Sequence, residues 1–476
     1  MRGNRGTDRV SLSRTSVAAA AASTLLLSLV PPAATEKVSA QVSPLPNILV
    51  IVTDDQPSGT MESLSATRRW FERQGRFYPN ATVSIPLCCP ARASILTGRH
   101  AHNHGVRTNY DAAALAQDST VEAYLQNAGY LTGISGKFMN SWNPLVNPPY
   151  FDRWALFSPI NFGHGYYRTR FNVDGTMSRV RGYSTDFIAD QAVSFLEGFE
   201  AQDATPWFMY VAPFAPHGPS TPEKEYRKAD VGAWNGDPGV HESDRRDKPP
   251  VLQAHKKSLK DSARVRRRQL RSLYSVDELV RDLMRRMGSL GERTQTLAFF
   301  VSDNGYLWGH HGYIGKRFPY TEAVSIPFFM RWPGRLIGGQ TDVSLVTNLD
   351  VAPTILDAAG VTPDPRYPMD GRSLLSFSGR PRTFIEYFRD PDEGDIPPWA
   401  SLRTRAYQYV EYYSDDFSTV TFREYYDLQR DPHQLVNLLD DGNPGNDPPA
   451  THLAELSEEL AMDRRCIGTT GPSACP

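Results

Sequence analysis

From Asn47 to Thr53 the chain reads Asn-Ile-Leu-Val-Ile-Val-Thr, apolar without alternation. A strand wet on one side would alternate, so this run predicts a strand buried on both faces, as in a parallel sheet. Tyr130 to Ile134, Trp207 to Ala212, Thr296 to Ser302 and Ile326 to Arg331 repeat the pattern. Between them, Ser119 to Asn127, Phe187 to Phe199 and Leu270 to Met287 carry apolar residues at helical spacing. Strands alternating with helices predict an α/β fold with a large, mostly parallel sheet flanked by helices.

Two stretches break the alternation. Pro222 to Arg268 is charged, with Pro and Gly near its start, and reads as a long surface insertion, a rim over the active site. Gly371 to Arg382 reads as a junction. Beyond it, Thr383 to Glu386, Tyr407 to Tyr412 and Phe422 to Tyr426 are expected as strands of a small C-terminal α+β subdomain. A polar loop, Asp440 to Pro449, and a helix from about Leu453 to Met462 follow. The expected division is 1–40 signal peptide, 45–375 catalytic domain, 376–465 subdomain and 466–476 tail.

The N-terminus carries Arg2, Arg5, Arg9 and Arg14, then an apolar run from Val17 to Val30, Pro31-Pro32 and small residues at Val38-Ser39-Ala40. That is the order of a secretory signal, and the run is short for a membrane span. Export is therefore expected, with no stable membrane anchor. The 476 residues carry 51 Lys plus Arg against 53 Asp plus Glu, a net charge of -2. No global field points to nucleic acid, so any anion site is built locally. Of the four cysteines, Cys466 and Cys475 can close a disulfide in an oxidising compartment. Cys88 and Cys89 are adjacent, and neighbours rarely bridge each other.

The candidate chemistry sits at strand ends. The first strand runs into Asp54-Asp55, and Thr296 to Ser302 runs into Asp303-Asn304-Gly305. Ligands of open α/β sheets lie outside the carboxyl ends of strands. If the two strands are neighbours, three carboxylates and an amide converge, an all-oxygen set suited to Ca²⁺ or Mg²⁺. Each motif taken singly is also ordinary turn chemistry. Cys88-Cys89-Pro90-Ala91-Arg92 then opens a predicted helix with Pro in its first turn and Gly98 at its stop. Cys88 falls at the N-terminus, where free N–H groups favour negative charge, and Arg92 lies one turn on.

Cys88-Cys89-Pro90-Ala91-Arg92 with Leu96-Thr97-Gly98 resembles the sulfatase signature, and the string ending His102-Asn103-His104-Gly105-Val106 is similar to the N-acetylglucosamine-6-sulfatase and extracellular endosulfatase branch. The resemblance implies an alkaline-phosphatase-like fold. It also implies Cys88 converted to Cα-formylglycine by a formylglycine-generating enzyme, and one divalent cation, Ca²⁺ in preference to Mg²⁺. Asp54, Asp55, Asp303, Asn304 and residue 88 match the metal positions. Arg92, Lys137 and Lys316 match sulfate-binding residues, and His217 matches the histidine near the leaving oxygen. Glu424-Tyr425-Tyr426-Asp427-Leu428 with Asp431-Pro432 and Asn437-Leu438 is similar to the family's C-terminal tag. Two departures are Ala91, where Ser is usual, and Met139, where many arylsulfatases carry His. Asn140 is expected to take part of that role, and Asn140 and His311 are assigned to substrate. His102, His104 and His310 are read as structural.

The implied reaction is hydrolysis of a sulfate ester of a sugar, a glycan fragment or an aryl alcohol. One hydroxyl of hydrated formylglycine attacks sulfur, and the other releases sulfate. Asp303 takes the nucleophile's proton, and His217 or Lys316 protonates the leaving oxygen. Three alternatives stand beside it: a phosphoric or phosphonic ester hydrolase with the same site, a non-catalytic binder of sulfated glycans, and a thiol enzyme using Cys88 directly.

Overall fold

The structure is a computed structural model, and it describes residues 45–158, 165–376, 379–390 and 394–476. The signal-peptide reading falls outside these residues. The principal elements are β1 (Asn47–Thr53), α1 (Cys88–Thr97), α2 (Val121–Asn127), β2 (Leu131–Lys137), β3 (Arg153–Phe157), α3 (Ser184–Glu200), β4 (Trp207–Ala212), α4 (Leu259–Leu290), β5 (Thr296–Ser302), β6 (Phe328–Arg331) and α5 (Val351–Ala359). A second group comprises β7 (Thr383–Tyr387), β8 (Trp399–Arg403), β9 (Tyr407–Tyr413), β10 (Val420–Asp427) and α6 (Ala450–Asp463).

A ten-stranded sheet forms the centre. Its middle is parallel, in the order β5-β1-β4-β2-β3. Antiparallel strands flank it: β6 beside β5, and the hairpin Arg170–Val173/Thr176–Arg179 beside β3. The sheet is thus mixed: four of the apolar runs form its parallel part, whereas the run at Ile326 to Arg331 pairs antiparallel as β6. β1 shows why those runs lack alternation. Ile48, Val50 and Val52 face a core with Ile95, Leu96, Val351 and Ile355. Leu49 and Ile51 face the opposite core with Leu273, Val276 and Val280 of α4. Successive side chains point to opposite faces, and both faces are covered.

Two elements run longer than the pattern suggests. β2 continues through Ser135, Gly136 and Lys137, all buried despite their polarity. α4 begins at Leu259, inside the stretch read as insertion, with the Ser258 side chain accepting from the Asp261 amide. Its arginine-rich first turns hide the helix from a hydrophobic reading. The rest of the insertion is knitted in: buried Lys248 pairs with Glu242 and Asp247 and donates to the Leu435 carbonyl at 2.9 Å. β7-β8-β9-β10 form an antiparallel sheet of their own, with α6 against it. Buried Glu424 of the tag accepts from the hydroxyls of Tyr320, Tyr412 and Tyr426. That latch joins β10 to the loop that carries Lys316. Cys466 and Cys475 are joined by a disulfide.

Candidate active site

β1 and β5 are adjacent and parallel, with Thr53 opposite Ser302. Both therefore end at one edge. The Asp303 amide donates to the Thr53 carbonyl at 3.0 Å, and the Asp55 amide donates to Asp303 Oδ1 at 3.1 Å. Asp55 takes a left-handed conformation, φ 64°, which turns the chain across the strand ends. Asp54, Asp55, Asp303 and Asn304 are all buried there.

α1 brings Cys88 to the same point. Its Sγ lies 3.3 Å from Asp54 Oδ1 and 3.9 Å from Asp55 Oδ1, and Lys316 Nζ lies 2.6 Å from the sulfur. Arg92, one turn on, donates from Nε to Asp303 Oδ2 at 2.8 Å and from a terminal nitrogen to the Lys137 carbonyl at 3.0 Å. Its other nitrogen stands 3.6 Å from Asp54. Arg92 thus grips the acids. Lys137 leaves the end of β2 and meets Asp54 Oδ2 at 2.5 Å, while Lys316 Nζ also pairs with Asp55. Gly136 makes that exit feasible: its φ is 117°, and a Cβ there would stand 2.1 Å from the Ala212 carbonyl oxygen.

Three carboxylates face three cations in this cluster, all of them buried. Burial opposes ionisation of Asp54, but Lys137, His217, Arg92 and Lys316 overcome it and hold the carboxyl well below its usual range. Asp303 goes the other way: burial and the Asp54 charge push it up against the pull of Arg92. The two neighbouring carboxyls are thus driven in opposite directions. Burial and Asp54 also push the Cys88 thiol well above its ordinary value. A protonated thiol is a poor nucleophile, which disfavours the thiol-enzyme reading.

His217 completes the cluster from the other side. Its Nδ1 donates to the Gly218 carbonyl at 2.8 Å, which leaves Nε2 facing Asp55 Oδ2 at 3.7 Å. The side chain is 30% exposed, the most open of the group. Tyr166 anchors the loop by donating to the His217 carbonyl at 2.6 Å.

Among the described residues, two predicted site residues make no hydrogen bond to the cluster. Asn140 is buried, its Oδ1 has no partner among the described residues, and it makes no hydrogen bond to the cluster. His311 is enclosed: Nδ1 meets Glu242 Oε2 at 2.8 Å, the ring lies 4.1 Å from that of Tyr320, and burial pushes its pKa down to about 3. It braces the insertion through Glu242, and its Nε2 has no partner among the described residues. His102, His104 and His310 have structural partners, respectively Glu386, Ser94 and Asp237. Sequence reasoning did not reach Gln269 of α4, which spans from Asp55 to Trp308. A polar residue on the apolar face of that helix was the available signal.

Fold and cluster place the chain in the alkaline-phosphatase-like α/β class. The sulfatase family model matches residues 46–361, and a model described as N-sulphoglucosamine sulphohydrolase, C-terminal, matches 309–461. The chain belongs to the sulfatase family. A Caenorhabditis elegans putative extracellular sulfatase Sulf-1 homolog is 30% identical over 75% of this chain, and a Drosophila melanogaster homolog 34% over 69%. The chain spans 54% and 31% of their lengths. Human N-acetylglucosamine-6-sulfatase is 29% identical, covering 89% of this chain and 85% of its own. A solved structure in complex with its substrate D-glucosamine-2-N,6-O-disulfate superposes with a TM-score of 0.77, at 24% identity over 88% of this chain and 97% of that one. The phosphonate monoester hydrolase of Agrobacterium radiobacter gives 0.67 at 19% identity, over 87% and 95%. These two likenesses concern the fold.

Proposed function

We propose that the protein is an exported sulfuric ester hydrolase that removes sulfate from a sulfated amino sugar of a glycan. The observation that carries the reading is the convergence of Cys88, 3.3 Å from Asp54 and 2.6 Å from Lys316, with Asp303 and Asn304 from a second strand end. Residues 45–375 form the catalytic domain in this reading, 376–465 the subdomain and 466–476 the tail.

The donor set fits a hard cation. Asn304 gives its amide hydrogens to Asp55 and the Gly305 carbonyl, and its buried Oδ1 has no partner among the described residues. An orphan oxygen beside three carboxylates suits Ca²⁺ or Mg²⁺. Asp54, Asp55, Asp303 and Asn304 would hold the cation, which supplies Lewis-acid polarisation and charge neutralisation. Matured to Cα-formylglycine by a formylglycine-generating enzyme, residue 88 supplies a hydrated aldehyde, with one hydroxyl to attack and one to release sulfate.

The remaining work falls to side chains of the chain. Arg92, Lys137 and Lys316 compensate charge on the sulfuryl oxygens without reorganising. Asp303, oriented by Arg92 Nε at 2.8 Å, accepts the proton of the attacking group. His217 Nε2, the accessible nitrogen of the cluster, protonates the leaving oxygen, and its Nδ1–H is held by the Gly218 carbonyl. With acids and cations balanced at three each, a divalent cation leaves the site positive, which favours an anionic ester.

Mass spectrometry of the Cys88 peptide and assays with N-acetylglucosamine-6-sulfate, an aryl sulfate and a matching phosphate ester test the reading. A lighter, carbonyl-reactive peptide and chelator-sensitive sulfate release are expected. An unmodified Cys88 in protein matured by a formylglycine-competent host, with phosphate ester as the faster substrate, would overturn it.

A further inference from the structure

The histidine assigned to the leaving oxygen is held by aromatic residues that take no part in the chemistry. His217 lies on the loop beyond β4, and its Nε2 is the free ring nitrogen because Nδ1 donates to the Gly218 carbonyl. Its own carbonyl accepts from the Tyr166 hydroxyl at 2.6 Å and from Ser220 Oγ at 3.3 Å. The ring leans on Phe214, with centroids 4.6 Å apart and planes tilted by 34°. Phe214 meets the Tyr166 ring edge-on at 5.3 Å, and Tyr166 lies against Tyr183 at 5.7 Å. Tyr166 thus restrains His217 twice, through its hydroxyl directly and through its ring by way of Phe214.

The loop is pinned on both sides of residue 217 without that help. The Asp54 amide donates to the Ala215 carbonyl at 3.4 Å, Ser220 Oγ to the Pro216 carbonyl at 2.8 Å, and the Tyr183 hydroxyl to the Thr221 carbonyl at 2.9 Å. Yet Tyr166, 3% exposed, gives its hydroxyl to the residue whose side chain is 30% exposed. An open imidazole samples several rotamers when nothing holds it. The stack on Phe214 and the fixed carbonyl leave Nε2 facing Asp55 Oδ2 at 3.7 Å. Burial pushes the Tyr166 hydroxyl well above its ordinary pKa, so it keeps its proton and remains a donor.

We propose that Tyr166, seated on Phe214, is a positioning residue for His217: it fixes where the proton is delivered as the S–O bond breaks, and so extends turnover to sulfate esters of poorly leaving alcohols. This role rests on the proposed function of His217 as proton donor. The electrons of the breaking bond depart with the alcohol oxygen. A sugar alkoxide is too basic to leave unaided, so its oxygen takes the Nε2 proton, whereas a nitrophenolate carries the charge itself. Proton transfer needs donor and oxygen at about 3 Å, and a misplacement of about 1 Å can lower the rate by ~100-fold. Tyr166 therefore acts on the range of leaving groups. Sulfate binding stays with Arg92, Lys137 and Lys316.

The test compares the full mature chain with Tyr166→Phe, His217→Ala and the double variant, on N-acetylglucosamine-6-sulfate and on para-nitrophenyl sulfate. Phe keeps the ring contacts with Phe214 and Tyr183 and removes the hydroxyl alone. Tyr166→Phe should lose about tenfold in kcat on the sugar sulfate and less than about twofold on the aryl sulfate, with KM for each unchanged. His217→Ala should show a larger loss with the same skew, and adding Tyr166→Phe to it should lower the rate no further. Ser220→Ala removes the second donor to the same carbonyl and should give the skew at smaller amplitude. Should Tyr166→Phe fail to fold, Ser220→Ala decides by the same criteria. Equal losses on both substrates would overturn the proposal, as would a loss that adds in full to that of His217→Ala, since either marks a purely structural role. A His217→Ala variant without the skew overturns the assignment of His217 itself, and the positioning role falls with it. The same holds if the mature wild-type chain releases sulfate from neither substrate.

Discussion

Replacing Arg92 with Met tests whether the cluster is held by charge pairing. The guanidinium is fully buried, 2.8 Å from Asp303 and 3.6 Å from Asp54, and it also satisfies the Lys137 carbonyl. Met fills similar volume but leaves Asp303 and a carbonyl without their donor. Breaking a buried ion pair from one side costs about 3–5 kcal/mol, because the remaining charge stays desolvated. Unfolding entropy of ~2.1 cal/mol/K per residue gives roughly 0.9 kcal/mol/K for a body of this size, so Tm should fall by about 3–5 °C. Asp303→Asn added to Arg92→Met removes the stranded charge, so the double variant should be more stable than the single one. Thermal unfolding in excess chelator, with urea titration as a second measure, reads both effects. An Arg92→Met protein that melts within a degree of wild type would refute the reasoning, as would an Asp303→Asn change that adds its full cost on top.

Three further outcomes follow from particular side chains. His102 donates from both ring nitrogens, to Glu386 and to the Cys466 carbonyl, so it is an imidazolium. Burial opposes the charge, but Glu386 outweighs it and lifts the pKa to about 9. The stabilisation is complete below the unfolded value near 6.5 and disappears as pH rises through 9. Accordingly, His102→Ala should cost up to ~3 kcal/mol at pH 6 and much less at pH 9.5 in urea titrations. Glu122 is enclosed with neither oxygen partnered among the described residues, and burial pushes it up to about 8. Ionising it penalises the fold above that pH, so Glu122→Gln should gain on the order of 5 kcal/mol at pH 9 and almost nothing at pH 4, by the same titration. Gly136→Ala drives a methyl into the Ala212 carbonyl region and displaces Lys137, so sulfate release should fall at least tenfold while circular dichroism stays native.

Much of this protein was legible in one dimension. Continuous apolar runs at Asn47–Thr53, Trp207–Ala212 and Thr296–Ser302 required strands covered on both faces, and the structure uses them as the parallel centre. Helix punctuation at Pro90 and Gly98 placed Cys88 at an N-terminus, because such signals act within a few residues. Strand order is a different matter. That β1 and β5 are neighbours, so that Asp54 and Asp303 converge across 248 intervening positions of chain, depends on helices stacking on both faces at once. His311 illustrates the same limit: its neighbour in sequence is exposed to no rule that says which face the ring takes, and packing against Tyr320 and Glu242 drew it inward. α4 began earlier than its hydrophobic pattern, since its first turns are paid in arginine contacts and a Ser258 cap. The sequence alone determined which segments must be buried and which residue types stand at their ends. Only the tertiary structure decided which ends meet, because that depends on the simultaneous packing of surfaces far apart in the chain.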